Sequence, residues 1–386
     1  MSEINHHIQQ ILPEIVILRK KLHQIPELKY EEYKTSALIA ETLIKYGYEI
    51  QQNIAKTGIV ALLDTGRPGK TIALRADMDA LPIQEPWHAN SSQHSGVMHA
   101  CGHDGHCAAL LAAAYALQQV KHRLKGKIKL IFQPAEEGGK GSSAMIAAGV
   151  LDNPAVDAIY GFHNWPGLPI NTVAVKPGAI LLGNGRITLG IHGKAAHTSQ
   201  PEQAINPVLI GAMLITALQS LAQQLVAANA VLNILAFNSG DVKKGMSIYA
   251  EIIAVYYIET HQQLEQLQTE INSLCATIAK QAGTKIDCQF QPFHTPTINH
   301  VNETQVVLTA ANKITENIHQ PQKSMLAAED FSAYLEKIPG CFWLLGIGES
   351  AAAVHTANYV FNDNILATAA ELFCQVVLQE SLHVSG

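Results

Sequence analysis

The sequence predicts a two-domain α/β protein, and three observations carry that expectation. Short apolar segments alternate with helical ones through the first half of the chain. Ionisable residues fall just past several of those segments, where open α/β sheets build their sites. Near Gly185 the pattern changes to β-α-β-β-α-β, the order of a ferredoxin-like unit. At 386 residues the chain also exceeds one ordinary core, so a division into domains is expected. With 48% hydrophobic and 15% charged residues, it has enough apolar surface to bury and is not a disordered chain.

The elements follow in order. Ile8, Ile11, Leu12, Ile15, Leu18 and Leu22 share one face at helical spacing, which makes the N-terminus an amphipathic helix. Thr71 to Arg75, Lys127 to Phe132 and Val156 to Tyr160 read as short buried strands. Gly105 opens an apolar helix to about Val120, and Gly141 to Ala148 is a further helix. Beyond Gly185 come a strand over Arg186 to His192 and a long helix from Asn206 to about Ala228. Strands over Val231 to Phe237 and Ile248 to Ile258, a helix over Glu259 to Ala282, and a strand over Lys285 to Phe290 complete the unit. Pro292, Pro296 and Asn299 punctuate its end, after which helices and the strand Cys341 to Ile347 resume the first pattern. The expected fold is therefore a mixed-sheet α/β domain over 1–184 and 295–386, interrupted by an inserted domain over 185–294.

Several functions are disfavoured. The net charge of −6 and the lack of a Lys/Arg cluster argue against a nucleic-acid partner. No basic segment precedes an apolar one at the N-terminus, and the apolar run Cys107 to Leu117 is too short to cross a bilayer, so no membrane partner is expected. Six cysteines without a framework in a chain of this size suggest a reducing, cytoplasmic setting. There is no Gly-x-Ser-x-Gly elbow, phosphate-binding loop or dinucleotide fingerprint.

The chemistry concentrates in Met98-His-Ala-Cys-Gly-His-Asp-Gly-His106 and Gln133-Pro-Ala-Glu-Glu-Gly138. Thiol, imidazole and carboxylate are the donors that hold borderline transition metals, and a spare carboxylate serves metal-assisted hydrolysis. Cys101 and His103, one residue apart in a glycine-containing loop, are candidate ligands. A lone cysteine is more often a small buried hydrophobe, and a papain-like nucleophile would leave the carboxylates without a purpose. His99 reads as a supporting residue and His106 as structural or supporting. Glu136 and Glu137 point in different directions, which suits one to a metal and the other to moving a proton; a solvated acidic pair is the plainer alternative. His163 and His355 each follow a probable strand of the first domain. His197, in the inserted domain, reads as a surface-loop histidine or as a donor to a developing oxyanion.

Leu22-His-Gln-Ile-Pro-Glu-Leu28 with Glu31-Glu32, Arg75-Ala-Asp-Met-Asp-Ala-Leu-Pro82, the two motifs above, Glu329-Asp-Phe-Ser332 and Phe361-Asn-Asp363 together resemble the M20 metallopeptidase family, in its amidohydrolase branch. That branch includes hippurate hydrolases, N-acyl-amino-acid amidohydrolases, N-acetyl-diaminopimelate deacetylases and auxin-conjugate hydrolases. The resemblance implies a binuclear catalytic domain with an inserted lid that commonly forms a homodimer. It implies Cys101, His103, Glu137, His163 and His355 as ligands of two divalent metal ions, zinc, manganese, cobalt or nickel, with Cys101 bridging. It implies Glu136 as the general base for a metal-activated water and His197 as the lid histidine that polarises the scissile carbonyl. The expected substrate is a small N-acylated amino acid or a related N-acyl compound. A deacetylase of N-acetyl diamino acids, a dipeptidase or carboxypeptidase, and a non-catalytic metal-containing binding protein are the alternatives.

The chain departs from the family in the lid. Lys244-Gly-Met-Ser-Ile-Tyr249 stands where Asn-Val-Ile-Pro is usual, Tyr257 falls near the expected arginine, and Glu202 replaces a histidine. Arginine is the usual grip on a carboxylate, so the expected substrate lacks a free α-carboxylate there or carries a cation that meets Glu202. Drift in a lid loop, with the carboxylate held elsewhere, is the plainer alternative.

Overall fold

A computed structural model describes residues 2–197, 199–226, 229–241 and 245–382. Thr198 beside His197, residues 227–228 at the end of the expected long helix, and Lys244 of the divergent lid segment lie outside the described residues.

In chain order, the first stretch contains α1 (Glu3–Gln24), α2 (Tyr33–Lys45), β1 (Glu49–Ile54), β2 (Gly58–Asp64), β3 (Thr71–Asp77), α3 (His103–Gln119), β4 (Lys127–Gln133), the distorted single turn α4 (Glu136–Gly139), α5 (Gly141–Ala147), β5 (Ala158–Pro166), β6 (Val173–Ala174) and β7 (Gly178–Leu181). The middle contains β8 (Gly183–His192), α6 (Pro207–Leu225), β9 (Val231–Asp241), β10 (Gly245–Ile258), α7 (His261–Ala282) and β11 (Ile286–His294). The last stretch contains β12 (Thr297–Asn299), α8 (Val301–Ala311), β13 (Ile318–His319), α9 (Ser332–Leu335), β14 (Gly340–Gly348) and α10 (Leu366–Leu382).

Two compact units result: Met1–Ile180 with Ile298–Gln322 and Asp330–Gly386, and Leu181–Thr297 with Lys323–Glu329. The segment Lys323–Glu329, assigned from sequence to the first domain, groups with the second. The backbone explains this, since Leu181 bridges Met325 and Leu182 N–H donates to Ala327 O at 2.9 Å.

In the first unit, eight strands form a mixed sheet in the order β1-β2-β4-β3-β5-β14-β6-β13. Its centre is parallel: β3 pairs with β4 and β5, and β5 pairs with β14. All seven residues of β3 are buried, as expected of a strand covered on both faces. β14, from the C-terminal quarter, pairs with β5 along Gly340 to Gly348. This pairing makes β5 longer than the sequence suggests and places His163 inside the strand, opposite Leu344, instead of beyond its end.

α3 is apolar nearly all round and lies in the core against α1, α10 and β3. Its first residue is His103, two positions ahead of the expected start at Gly105. α1 buries Ile4, Ile8, Ile11, Ile15, Leu18 and Leu22 at helical spacing.

In the second unit, the sheet order is β11-β8-β10-β9 with every neighbouring pair antiparallel. Two helices, α6 and α7, supply Ile210, Leu214 and Leu218, and Leu267, Ile271 and Cys275, to one core with Ile187, Leu189 and Ile252. A capping box between Thr260 and Gln263 starts α7, and Gly283 at φ 63° ends it. Among the described residues, Pro207–Leu225 and Asp363–Leu382 are long and apolar enough to cross a membrane by length and composition. The second of these is mostly buried in the first unit's core; the first lays Ile210, Leu214 and Leu218 on its own sheet.

Candidate metal centre

The first unit brings Cys101, His103, Glu136, Glu137, His163 and His355 together around the carboxyl ends of the parallel strands. Cys101 sits in the loop that enters α3, and Gly102 makes its turn possible. Gly102 has φ 96°, in the left-handed region, and a Cβ there would collide with Asn164 Oδ1 and the Tyr359 hydroxyl. His355 has φ 63°, and its N–H donates to Ala100 O at 2.8 Å, tying the loop after β14 to the Cys101 loop.

The thiol is the common point. Cys101 Sγ lies 3.2 Å from His163 Nε2 and 3.3 Å from His355 Nε2, while His355 Nε2 is 3.1 Å from Glu137 Oε1. Cys101, His103 and His163 form one group of donor atoms lying within 4.8 Å of one another, and Cys101, Glu137 and His355 form another. His103, Glu136 and Glu137 form a third.

His103 and His163 are oriented by groups that only accept. His103 Nδ1 donates to Asp79 O at 2.9 Å, leaving a buried Nε2 with no hydrogen-bond partner. His163 Nδ1 donates to Asn164 O at 2.6 Å, which turns Nε2 toward the thiol. Burial, with His106 beside it, lowers the His163 pKa to about 3, so its imidazole is neutral and presents a lone pair.

Asp79 supports the carboxylates. Its Oδ1 accepts from Glu136 N–H at 3.0 Å and its Oδ2 from Glu137 N–H at 2.9 Å, so one side chain holds the turn that separates the two glutamates. Buried Glu32 accepts from Ala135 N–H at 2.9 Å just ahead of that turn. Asp77 is held by Arg75 at 2.7 Å and by His106 Nδ1 at 2.6 Å; the other His106 nitrogen meets Asn164 Oδ1 at 2.7 Å.

The donor set fits divalent cations. Burial raises the Cys101 thiol well above its ordinary pKa, and Glu137, Glu136 and Asp77 push the same way. Burial lowers His103, but Asp77 and Asp79 outweigh it and raise the pKa to about 10. Without a cation, these groups hold protons; metal binding releases them. The buried His103 Nε2, which makes no hydrogen bond, and Glu137 Oε1, which faces only His355 Nε2 at 3.1 Å, are donor atoms such a cation would satisfy.

His99, expected to support a ligand, does not: it is buried, neither ring nitrogen has a hydrogen-bond partner, and it lies 6.3 Å from the His23 ring. Burial lowers its pKa to about 3. Asp79, which the sequence places just past a strand without a role, and Asn164, which it does not single out, are supporting residues of the site. Their position just after a strand and just after His163 was the available signal.

His197 belongs to the second unit and is exposed. Ser199 N–H donates to its Nδ1 at 3.2 Å, and the Ser199 hydroxyl lies 2.7 Å from the same atom. In the neutral ring this places the proton on Nε2, which makes that nitrogen a donor. Glu202 is exposed, and Tyr257 is half-buried on β10 opposite Asn184 and Val231.

The family model described as peptidase family M20/M25/M40 matches residues 73–379. The chain belongs to this family. It is 33% identical to the hippurate hydrolase of Campylobacter jejuni, covering 96% of this chain and 99% of that one. It is 36% identical to the N-acetyl-L-cysteine deacetylase of Bacillus subtilis, covering 86% and 80%. The crystal structure of the Bacillus subtilis YXEP protein, described as a dinuclear metal binding peptidase from the M20 family, is 29% identical and matches with a TM-score of 0.87 over 97% of this chain and 100% of that one. The chain is thus an M20 hydrolase of the amidohydrolase branch, metal-dependent as that branch is.

Proposed function

We propose that this M20 hydrolase cleaves the amide bond of small N-acylated amino acids or related N-acyl compounds, using two divalent metal ions. The observation that carries the reading is the shared thiol: Cys101 belongs to one donor group with His103 and His163 and to another with Glu137 and His355. These five residues would hold the ions, and Cys101 is the donor common to both groups. When bound, the ions supply Lewis acidity to the carbonyl and acidify a water.

Glu136 is left for proton transfer. Its backbone is fixed by Asp79, and its side chain is buried beside the donor set instead of facing solvent. It takes a proton from the attacking water and returns it to the leaving nitrogen. His197 donates from Nε2 to the oxygen of the tetrahedral intermediate, with Ser199 fixing the tautomer that makes this available. The second unit, corresponding to the inserted 185–294 domain, then serves as the lid.

A homodimer through this unit is part of the same reading. β9 is an edge strand of its sheet, and Val208, Leu209 and Met213 on α6 are exposed with Leu235 on β9. An antiparallel pairing of two β9 strands would satisfy both edges. The free state of all six cysteines supports a cytoplasmic setting.

The test is hydrolysis of hippurate, N-acetyl-cysteine and N-acetyl-lysine before and after chelation. Activity on at least one is expected to vanish on metal removal and return with zinc, manganese, cobalt or nickel. Hydrolysis that persists in fully metal-free protein would overturn the reading. Selective turnover of hippurate would overturn the specific expectation that Glu202 meets a cationic substrate group.

A further inference from the structure

The first unit has a groove of about 800 Å³ to which no residue of the metal centre contributes. It runs along α10 and is walled by the start of α1, the loop ahead of β4 and the segment just after α8. Glu371, Gln375, Leu378 and Leu382 line it at steps of four, three and four residues, which is one face of α10.

The polar groups along this face are incompletely matched. Glu371 accepts from Asn5 Nδ2 at 2.6 Å and from Ser2 Oγ at 3.2 Å, both neutral, so its charge has no ion pair among the described residues. One turn further on, Gln375 is only 6% exposed, yet its side-chain amide makes no hydrogen bond among the described residues. Toward the end of α10, Lys313 Nζ donates to Gln379 Oε1 at 3.1 Å. Lys125 N–H reaches Ser381 Oγ at 3.5 Å, and the Lys125 ammonium has no partner among the described residues. Balancing the carbonyls at the end of α10 accounts for two lysines there. It does not account for an unpaired carboxylate and a buried, unpaired amide on the same face.

We propose that this groove binds a short peptide with free termini, about three residues long, with its ammonium at Glu371, an amide at Gln375 and its carboxylate at Lys125 and Lys313.

Length and charge select this class of ligand. From Glu371 to Gln379, beside which Lys313 lies, α10 rises about 12 Å. A single amino acid carries its two charges on one carbon and is too short to meet both ends, whereas three extended residues reach about 10–11 Å. The volume lies within the range of small-molecule sites. Ile314, Leu378 and Leu382 offer apolar surface to the side chains, and Gln375 has both a donor and an acceptor for a peptide group. Arg123, which also lines the groove, is already paired with Glu3 at 2.8 Å.

Calorimetry on full-length, metal-loaded protein tests the proposal with 8-aminooctanoate, an extended zwitterion that has no amide bond to cleave. It should bind about tenfold or more tightly than octanoate or octylamine, each of which lacks one charged end. Glu371→Gln should erase the preference over octanoate, and Lys125→Gln should reduce the preference over octylamine, with metal content and hydrolysis unchanged in both. Leu-Gly-Leu should displace the probe on mixing, and Gln375→Leu should weaken the peptide about tenfold while leaving the amide-free probe unaffected. The proposal fails if the zwitterion binds no better than its one-ended analogues, if its preferences survive both charge substitutions, or if Leu-Gly-Leu does not compete. A crystal structure in which the chain beyond Leu382 fills the groove would overturn it as well.

Discussion

Two clusters of imidazole and carboxylate lie in the first unit, and they are satisfied in opposite ways. Around Cys101, His103 and His163 each use Nδ1 to donate to a backbone carbonyl, His163 and His355 turn Nε2 to the thiol, and His103 Nε2 has no hydrogen-bond partner. Around His23, both ring nitrogens are committed: Nδ1 lies 2.9 Å from Asp104 Oδ2 and Nε2 lies 3.0 Å from Glu85 Oε1. Glu85 also meets His88 Nε2 at 2.8 Å and accepts from Ser92 N–H at 2.6 Å. The ligand atoms of His23, Glu85 and His88 are close enough to hold an ion, yet proximity is not what separates the two places. Asn90 N–H donates to His88 Nδ1, which keeps the proton on Nε2 and leaves no lone pair there for a metal. Arg19 adds a further charge on Asp104 at 3.2 Å. One cluster is poised for cations; the other is a chain of alternating charge closed on itself.

The comparison breaks most sharply at Glu136. Glu136→Gln should lower kcat by about 10²–10⁴-fold while metal analysis still finds the wild-type content. Loss of metal with loss of turnover would instead make Glu136 a ligand. Cys101→Ala should come next, since both donor groups share the thiol; it is expected to lose most of its bound metal by elemental analysis. If metal content is unchanged, the shared-thiol reading is wrong. Asp79→Asn removes charge from the residue that holds both glutamate N–H groups, and a drop of about 10–100-fold in metal affinity or activity is expected.

The His23 chain is probed by pH. Burial lowers the His23 pKa, but Asp104 and Glu85 outweigh it and raise the value from 6.5 to about 9. Since the folded state binds this proton more tightly, its stabilisation is complete below pH 6.5 and is lost as pH rises through about 9. At about 1.36 kcal/mol per pKa unit this is on the order of 3 kcal/mol. Denaturant unfolding of wild type and His23→Gln between these pH values should show the difference shrinking toward alkaline pH; a constant difference would refute the protonated chain. His88→Ala, at the exposed end, should leave metal content unchanged and shift stability by only about 0.5 kcal/mol.

Much of the architecture was legible because it repeats locally. The α1 stripe follows from the period of 3.6, the β3 and β4 strands from short apolar runs that are buried on both faces, and the second unit from its β-α-β-β-α-β order. The hairpin β1–β2 was not legible, since Glu49-Ile-Gln-Gln-Asn-Ile54 has no strong alternation and becomes a strand by pairing with Gly58–Asp64. The length of β5 was likewise hidden, because its partner β14 lies almost two hundred residues away.

The same division holds for the candidate site. Donor chemistry is a property of residue type, so the sequence by itself determined that thiol, imidazole and paired carboxylates would be available beside glycine turns, and motif order determined the family. Which imidazoles face the thiol was decided only by tertiary structure. His99 and His103 are four residues apart and equally histidine, yet one lies with no hydrogen-bond partner near His23 while the other turns Nε2 into the centre because Asp79 O holds its Nδ1. Hydrogen-bond direction depends on which acceptor the fold places within three ångströms, and that is information no single segment contains.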